Sequence, residues 1–111
     1  MLRQHLDYLN DILDSVIKIQ LFIENMTFDQ FKSDDKTVYA VIRAMEIMGE
    51  AVKHIPNEIR LGNPSIPWKS MSGMRNVLIH DYFGVDLETI WTTAREKIPP
   101  LEANLRKILE G

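Results

Sequence analysis

The spacing of apolar residues in the first half of the chain is the strongest constraint on its fold. Between about Arg3 and Asn25 these residues recur every three or four positions, the repeat of one helical face. A second stretch with this repeat runs to about Ile55, and Ser33 or Asp34 before it can cap a helix N-terminus. We therefore predict two long antiparallel helices packed through these faces. The apolar positions are Leu2, Leu6, Leu9, Leu13, Val16 and Ile17 in the first stretch, and Val38, Val41, Ile42, Met45, Met48, Val52 and Ile55 in the second.

Proline and glycine divide the second half of the chain. Pro56, Gly62, Pro64 and Pro67 rule out one continuous helix in the connection, although residues 57–61 can form a turn. Further helices are predicted from Trp68 to about Asp81, from Asp86 to about Lys97, and from Pro99 and Pro100 to about Leu109. The predicted fold class is therefore all-α, an antiparallel bundle of about five helices in one domain over residues 1–111.

Composition agrees with one folded domain. Of the 111 residues, 45% are hydrophobic, enough for a continuous core. The chain has no cysteine, which excludes a disulfide framework and thiolate metal sites. It shows neither a leader peptide nor an apolar run of about 20 residues, so we expect a cytoplasmic protein without a membrane role. The formal net charge of −3 provides no general attraction for nucleic acid, so any such contact must be local or involve another subunit.

Reactive side chains are concentrated in one stretch, MRNVLIHDYFGVD. It contains Arg75, Asn76, His80, Asp81 and Tyr82. Histidine exchanges protons near neutral pH, and the planar guanidinium of arginine binds phosphate oxygens. These types suit attack on a phosphodiester, and RNA supplies its own nucleophile in the 2′-hydroxyl, so no metal or cofactor is required.

The spacing within this stretch affects how a site could form. On an ideal helix, positions 75 and 82 differ by about 20°, whereas position 80 lies about 140° from position 75. One straight helix would not bring Arg75, His80 and Tyr82 together. Either the helix loosens near His80 on its way to Gly84, or a facing copy of the segment completes the site in a dimer. A third interpretation needs no site at all: Arg75 and Asp81 form a surface ion pair, His80 caps a helix end, and Tyr82 packs with a solvated hydroxyl.

The pattern of the whole chain bears on this choice. The stretches RAMEIMGEAVKHIP, IPWKSMSGMRNVLIHDYFGVD and LETIWTTAREKIPPLEANL together resemble the HepT-like toxin subunits of HEPN and minimal nucleotidyltransferase toxin–antitoxin pairs. The resemblance extends over essentially the whole chain. Its most specific element is Arg-x4-His-x-Tyr, formed here by Arg75, His80 and Tyr82, with Asn76 as the polar residue after the arginine.

The resemblance implies a HEPN helical bundle, usually a homodimer, that acts as a metal-independent endoribonuclease at the cleft between protomers. By this analogy His80 is the acid and base, Arg75 binds the phosphate and the transition state, and Asn76 and Asp81 support the site or bind substrate. The family also implies a cognate nucleotidyltransferase antitoxin that adds AMP to the motif tyrosine, which corresponds to Tyr82. The competing hypothesis is a non-catalytic helical module that binds the nucleotidyltransferase and holds a nucleotide or the modified tyrosine.

Other conspicuous residues favour structural roles. A row of charges on the second helix supports the cleft or forms a solvated face, and Gly49 suggests close approach of another helix. The residues of that row are Arg43, Glu46, Glu50 and Lys53. His5 and His54 lack a second ligand at metal spacing and are expected at the surface. Core or interface packing is expected for Met45, Met48, Met71, Met74, Trp68 and Trp91.

Overall fold

The computed structural model describes the backbone of residues 4–80 and 86–111, and the side chains of residues 4–74 and 86–111. The described residues form helices and connections without a strand, which confirms the all-α class. The helices are α1 (His5–Phe22), α2 (Phe28–Ser33), α3 (Asp35–Val52), α4 (Asn57–Gly62), α5 (Trp68–His80), α6 (Leu87–Thr92) and α7 (Pro99–Glu110). A π-helical turn, Thr93–Lys97, continues α6. None of the described helices has the length and apolar character needed to cross a membrane.

About five helices were predicted, whereas the described residues form seven α-helices. The two that were not predicted, α2 and α4, each lie in a connection between longer helices. The side chain of Thr27 accepts a hydrogen bond from the Gln30 amide, and the Gln30 side chain accepts one from the Thr27 amide. This reciprocal cap stabilises a helix of only six residues. Pro56 similarly precedes α4, where its missing amide hydrogen costs nothing.

The two long helices are also shorter than predicted. The first ends at Phe22 rather than near Asn25, because Asn25 itself adopts a left-handed φ of 62°. The second ends at Val52 rather than Ile55. Asp34 caps its N-terminus as predicted, accepting a hydrogen bond from the Thr37 amide at 3.2 Å.

Helices α1 and α3 run antiparallel. Near the start of α1, the Tyr8 ring stacks on His54 just beyond the end of α3, with centroids 4.3 Å apart. At the opposite end, Phe22 of α1 lines the same surface depression as Ala40 of α3. The predicted pairing of these helices is therefore confirmed.

A single apolar core joins these helices to α5 and to the C-terminal helices. The Nε2 of Gln20 in α1 donates to Glu102 in α7 at 2.9 Å, which fixes α7 against α1 above the core. The fully buried side chains include Leu9, Ile12, Val16, Ile19, Phe31, Val41, Met45, Val52, Ile90, Ile98 and Leu105.

The π-helical turn adjusts the phase of the helix that follows α6. The Ile98 amide donates to the Thr93 carbonyl at 3.0 Å, five residues back instead of four. Ala94 and Ile98 are both buried, whereas Arg95, Glu96 and Lys97 between them are exposed. Two apolar residues therefore remain in the core across the π-helical turn, before α7 begins.

Candidate active site

Hydrogen bonds join the start of α5 to the end of α3. The Arg60 guanidinium donates to the Ile55 carbonyl at 3.0 Å and to the Val52 carbonyl at 3.1 Å. The backbone amide of Asn63 donates to the Arg60 carbonyl at 3.2 Å, and the Trp68 indole donates to the backbone carbonyl of Asn63 at 3.1 Å. Since α5 begins where α3 ends and packs along it, α5 runs back antiparallel to α3.

The inner face of α5 is defined by its first two turns. Trp68 and Met71 are buried and Met74 is half-buried, whereas Lys69 and Gly73 are exposed. The prediction that Trp68 and Met71 pack in the core is confirmed, because Trp68 is only 6% exposed. These contacts hold the helix that continues into the reactive stretch.

The backbone of α5 carries three of the predicted site residues, Arg75, Asn76 and His80. Because α5 remains α-helical through His80, positions 75 and 80 are separated by about 7.5 Å along the axis and about 140° around it. Loosening on the way from His80 to Gly84 stays a prediction, because residues 81–85 lie outside the described ones. Asp81 and Tyr82 lie outside the described residues, as do the side chains of Arg75, Asn76 and His80.

The chain is anchored again directly after the reactive stretch. An Asp86 carboxylate oxygen accepts a hydrogen bond from the Glu88 amide at 3.1 Å, and the other accepts one from the Thr89 hydroxyl at 3.4 Å. Asp86 caps α6 as predicted. The described chain therefore resumes, after the reactive stretch, at a capped helix end.

The charged row on α3 makes local pairs. Arg43 and Glu46 lie 3.7 Å apart, with the arginine side chain 69% exposed, and Glu50 lies 3.9 Å from His54. The Lys53 carbonyl also accepts a bond from Arg60 at 3.4 Å. Exposed pairs of this kind contribute little to stability. The geometry agrees with a largely solvated face, while Gly49 beside it is buried.

His5 is exposed, and His54 retains 47% exposure of its side chain, as expected of surface positions. The stacking of His54 on Tyr8 was not predicted from the sequence, because 46 positions separate the two rings. Among the described residues, no three histidine or acidic side chains are placed to share a metal ion. Metal independence stays a prediction.

Two carboxyl groups outside the motif have shifted pKa values. Hydrogen bonds from the Thr37 hydroxyl and amide hold the pKa of Asp34 below its usual value. The Gln20 side chain, followed by Arg106, lowers the pKa of Glu102. Both carboxylates support helix ends or helix contacts, so their ionisation concerns the fold.

Comparison with known proteins identifies the family. Residues 12–108 match the model of the family described as "Ribonuclease HepT-like". A Thermococcus cleftensis protein named "Probable ribonuclease HepT" is 47% identical over 97% of this chain and 98% of its own length. A Methanocaldococcus jannaschii protein named "Putative RNase" is 45% identical over 93% of this chain and 85% of its own.

A Caldanaerobacter subterraneus protein with the same form of name, "Putative RNase", is 40% identical over 93% of this chain and 92% of its own. No solved structure matches the chain significantly. The family match covers most of the chain, and each of these relatives is similar over nearly its full length. The chain belongs to the HepT-like ribonuclease family.

Proposed function

We propose that this protein is a metal-independent endoribonuclease toxin whose active site contains Arg75 and His80. The observation that carries the proposal is the Arg-x4-His-x-Tyr motif in a chain of the HepT-like ribonuclease family. The arginine and the histidine lie on one helix, and the Arg60 hydrogen bonds connect the segment before that helix to the end of α3.

The proposed reaction is an internal transesterification of RNA. The 2′-hydroxyl loses its proton to a base and attacks the adjacent phosphorus, forming the new P–O bond. The bond from phosphorus to the 5′-oxygen breaks, and that oxygen receives a proton from an acid. His80 serves in these proton transfers, and Arg75 neutralises the charge on the phosphate oxygens as they approach the transition state. The products are a 2′,3′-cyclic phosphate and a 5′-hydroxyl end.

We further propose that two copies of the chain form one groove. The regular helix through His80 leaves positions 75 and 80 on different sides of α5, and position 80 shares a side with the exposed Lys69 and Gly73. A two-fold partner can place its own motif helix opposite this side. Two copies also double the local positive charge that a chain of net charge −3 otherwise lacks.

Incubation of the purified, unmodified protein with cellular RNA in excess EDTA tests the catalytic proposal. We expect cleavage by the wild type, none by His80→Ala, and a large loss in Arg75→Lys, which keeps the charge but loses the bidentate fork. His54→Ala is the matched control, because it removes an exposed histidine that lies far along the chain from the motif.

Equal fragment patterns for the wild type and His80→Ala would contradict the enzymatic proposal and favour the non-catalytic module. Loss of cleavage on chelation, restored by a divalent metal, would contradict the metal-free mechanism. The ends of the fragments provide a further criterion: 3′-hydroxyl and 5′-phosphate ends would exclude the 2′-hydroxyl as nucleophile.

The proposed regulator is a minimal nucleotidyltransferase antitoxin that transfers AMP from ATP to the Tyr82 hydroxyl and releases pyrophosphate. Tyr82 is two residues from His80, so the added nucleotide would bring volume and negative charge to the place where an RNA phosphate binds.

We expect Tyr82→Phe to retain cleavage and to escape inactivation. Peptide mass spectrometry after co-expression measures the modification, and Tyr39→Phe is the control, since Tyr39 is 59% exposed. AMP on another residue, or normal inhibition of Tyr82→Phe, would contradict this regulation.

A further inference from the structure

A pocket of about 390 Å³ lies between α3, α5 and the C-terminal segment from the π-helical turn to Leu101. Four of the six methionines of the chain line it, together with other apolar groups and three polar residues. The lining residues are Met45, Met48, Pro67, Ser70, Met71, Met74, Thr93, Lys97, Ile98 and Leu101. This volume and this balance of apolar and polar groups are typical of small-molecule sites.

Among the described residues that line the pocket, Lys97 is the one that carries a charge. The Lys97 side chain is exposed, and among the described residues no carboxylate lies within 4 Å of its ammonium group. Ser70 and Thr93 provide hydroxyl groups, whereas the methionines provide flexible, polarisable walls that adapt to slender apolar groups. This arrangement complements a molecule with an apolar body and an anionic head.

The pocket lies on a different side of α5 from the proposed catalytic histidine, His80. Position 74, which lines it, is about 120° around the axis of α5 from position 80. The π-helical turn contributes Thr93 and Lys97, and such turns occur frequently at functional sites. The pocket therefore opens on a different side of α5 from position 80, whereas position 75 lies about 40° around the axis from position 71.

We infer that this pocket binds a small apolar carboxylate, with the hydrocarbon among the methionines and the carboxylate beside Lys97. An apolar cavity of about 150 Å³ accommodates benzene, with its six carbon atoms. A pocket of about 390 Å³ therefore has room for an alkyl carboxylate of decanoate size. Binding at this site does not depend on cleavage of RNA.

Titration of the protein with decanoate, below its micelle concentration, tests the inference. Methionine labelled with ¹³C at the methyl group reports the site directly. We expect saturable shifts of the Met45, Met48, Met71 and Met74 resonances and none of Met26, which does not line the pocket. Decanol and decylamine should bind more weakly than decanoate, because neither presents an anionic head to the ammonium group.

Two pairs of variants locate the ligand. Lys97→Gln should raise the dissociation constant about two- to fivefold, the effect of losing one exposed ion pair, while Lys107→Gln elsewhere on the surface should not. Ser70→Trp should block the pocket, whereas Lys69→Trp places the same ring on a neighbouring residue outside it. A folded Ser70→Trp variant is verified by an unchanged circular dichroism spectrum.

Three results would overturn the inference. The first is the absence of methionine shifts at millimolar decanoate, and the second is equal binding of decanoate, decanol and decylamine. The third is a shift of the same four resonances on simple dilution of the protein, which would make the pocket a contact between copies of the chain. Failure of RNA cleavage in the assays above would leave the binding measurement unaffected.

Discussion

Arg60 is the residue that most directly connects the core to the motif helix. Its guanidinium donates to the carbonyl of Val52 at the end of α3 and to that of Ile55 just beyond it. The Val52 carbonyl also accepts a hydrogen bond from the Ile55 backbone amide at 3.1 Å. We expect Arg60→Met to lower the free energy of unfolding by about 1–3 kcal/mol, because these partly buried acceptors lose a charged donor. Urea unfolding measures the change.

Arg43→Met is the matched control for this loss, since Arg43 is 69% exposed and its pair with Glu46 is long at 3.7 Å. It should change stability by at most a few tenths of a kcal/mol. An equal effect of the two substitutions would show that the Arg60 bonds contribute nothing specific. Nothing in the sequence singles out Arg60, because its acceptors are backbone atoms five to eight positions away.

Asp34 makes stability depend on pH. Its pKa is held below the usual 3.8 chiefly by the Thr37 hydroxyl, which donates to the carboxylate at 2.8 Å. A lowered folded-state pKa stabilises the fold above about pH 4, and this contribution is lost as pH falls through the folded value. The urea midpoint of the wild type should therefore exceed that of Asp34→Asn at pH 7 and approach it near pH 2.

Thr37→Val removes the main cause of the shift and should reduce this pH-dependent difference. Direct titration of Asp34 by NMR provides an independent measurement. If Asp34→Asn kept its full deficit at pH 2, the charge of the carboxylate would not be responsible. A cap at this place was predictable, because Ser33 and Asp34 both precede an apolar repeat and both residue types favour helix N-termini, although the sequence did not choose between them.

At the scale of elements, α7 depends on two buried leucines, Leu101 and Leu105, and on the bond between Gln20 and Glu102. Leu105→Ala should lower the free energy of unfolding by about 2–5 kcal/mol, because Leu105 is fully buried and its removal leaves a cavity against α1. Lys107→Ala, on the exposed side of the same helix, should have little effect. Urea midpoints of the two variants decide this, and similar values would mean that α7 docks without a specific core contact.

The long helices were predictable because their apolar repeat extends over several turns. The short ones were not predicted, although Thr27 and Gln30 are the two partners of a recognisable capping box. Six residues provide too few apolar positions for a repeat to appear. The π-helical turn was not predicted either, since the spacing of Ala94 and Ile98 is that of an ordinary α-helical face.

At the scale of the whole molecule, the sequence contains the motif but not the arrangement of its side chains in space. Arg75, Asn76 and His80 can be assigned to one helix from periodicity alone, and the fold confirms that helix. Their relation to a second chain depends on surfaces that no local pattern encodes. The methionines illustrate the same limit, because their helical spacing predicts packing, whereas the pocket that they line results from the approach of three elements.

The proposed dimer leads to a complementation experiment. If each active site takes Arg75 from one protomer and His80 from the other, a heterodimer of Arg75→Ala and His80→Ala chains contains one site with both native residues. Random pairing then makes half of the dimers mixed, with one of two sites intact, so about a quarter of wild-type cleavage should return. The chains are co-expressed with different tags, and the dimer that carries both tags is purified and assayed separately.

Each variant alone should be inactive, which provides the baseline for the mixed dimer. A site contained within one chain predicts no rescue, because neither chain then has both residues. Sedimentation of the wild type measures the assembly itself: a monomer alone at micromolar concentration, together with undiminished cleavage, would contradict the shared groove. Recovery of activity only in the doubly tagged dimer would instead mean that Arg75 of one chain and His80 of the other act in one groove, because neither variant chain has both residues. This result would agree with the separation of positions 75 and 80 by about 140° around α5 within a single chain.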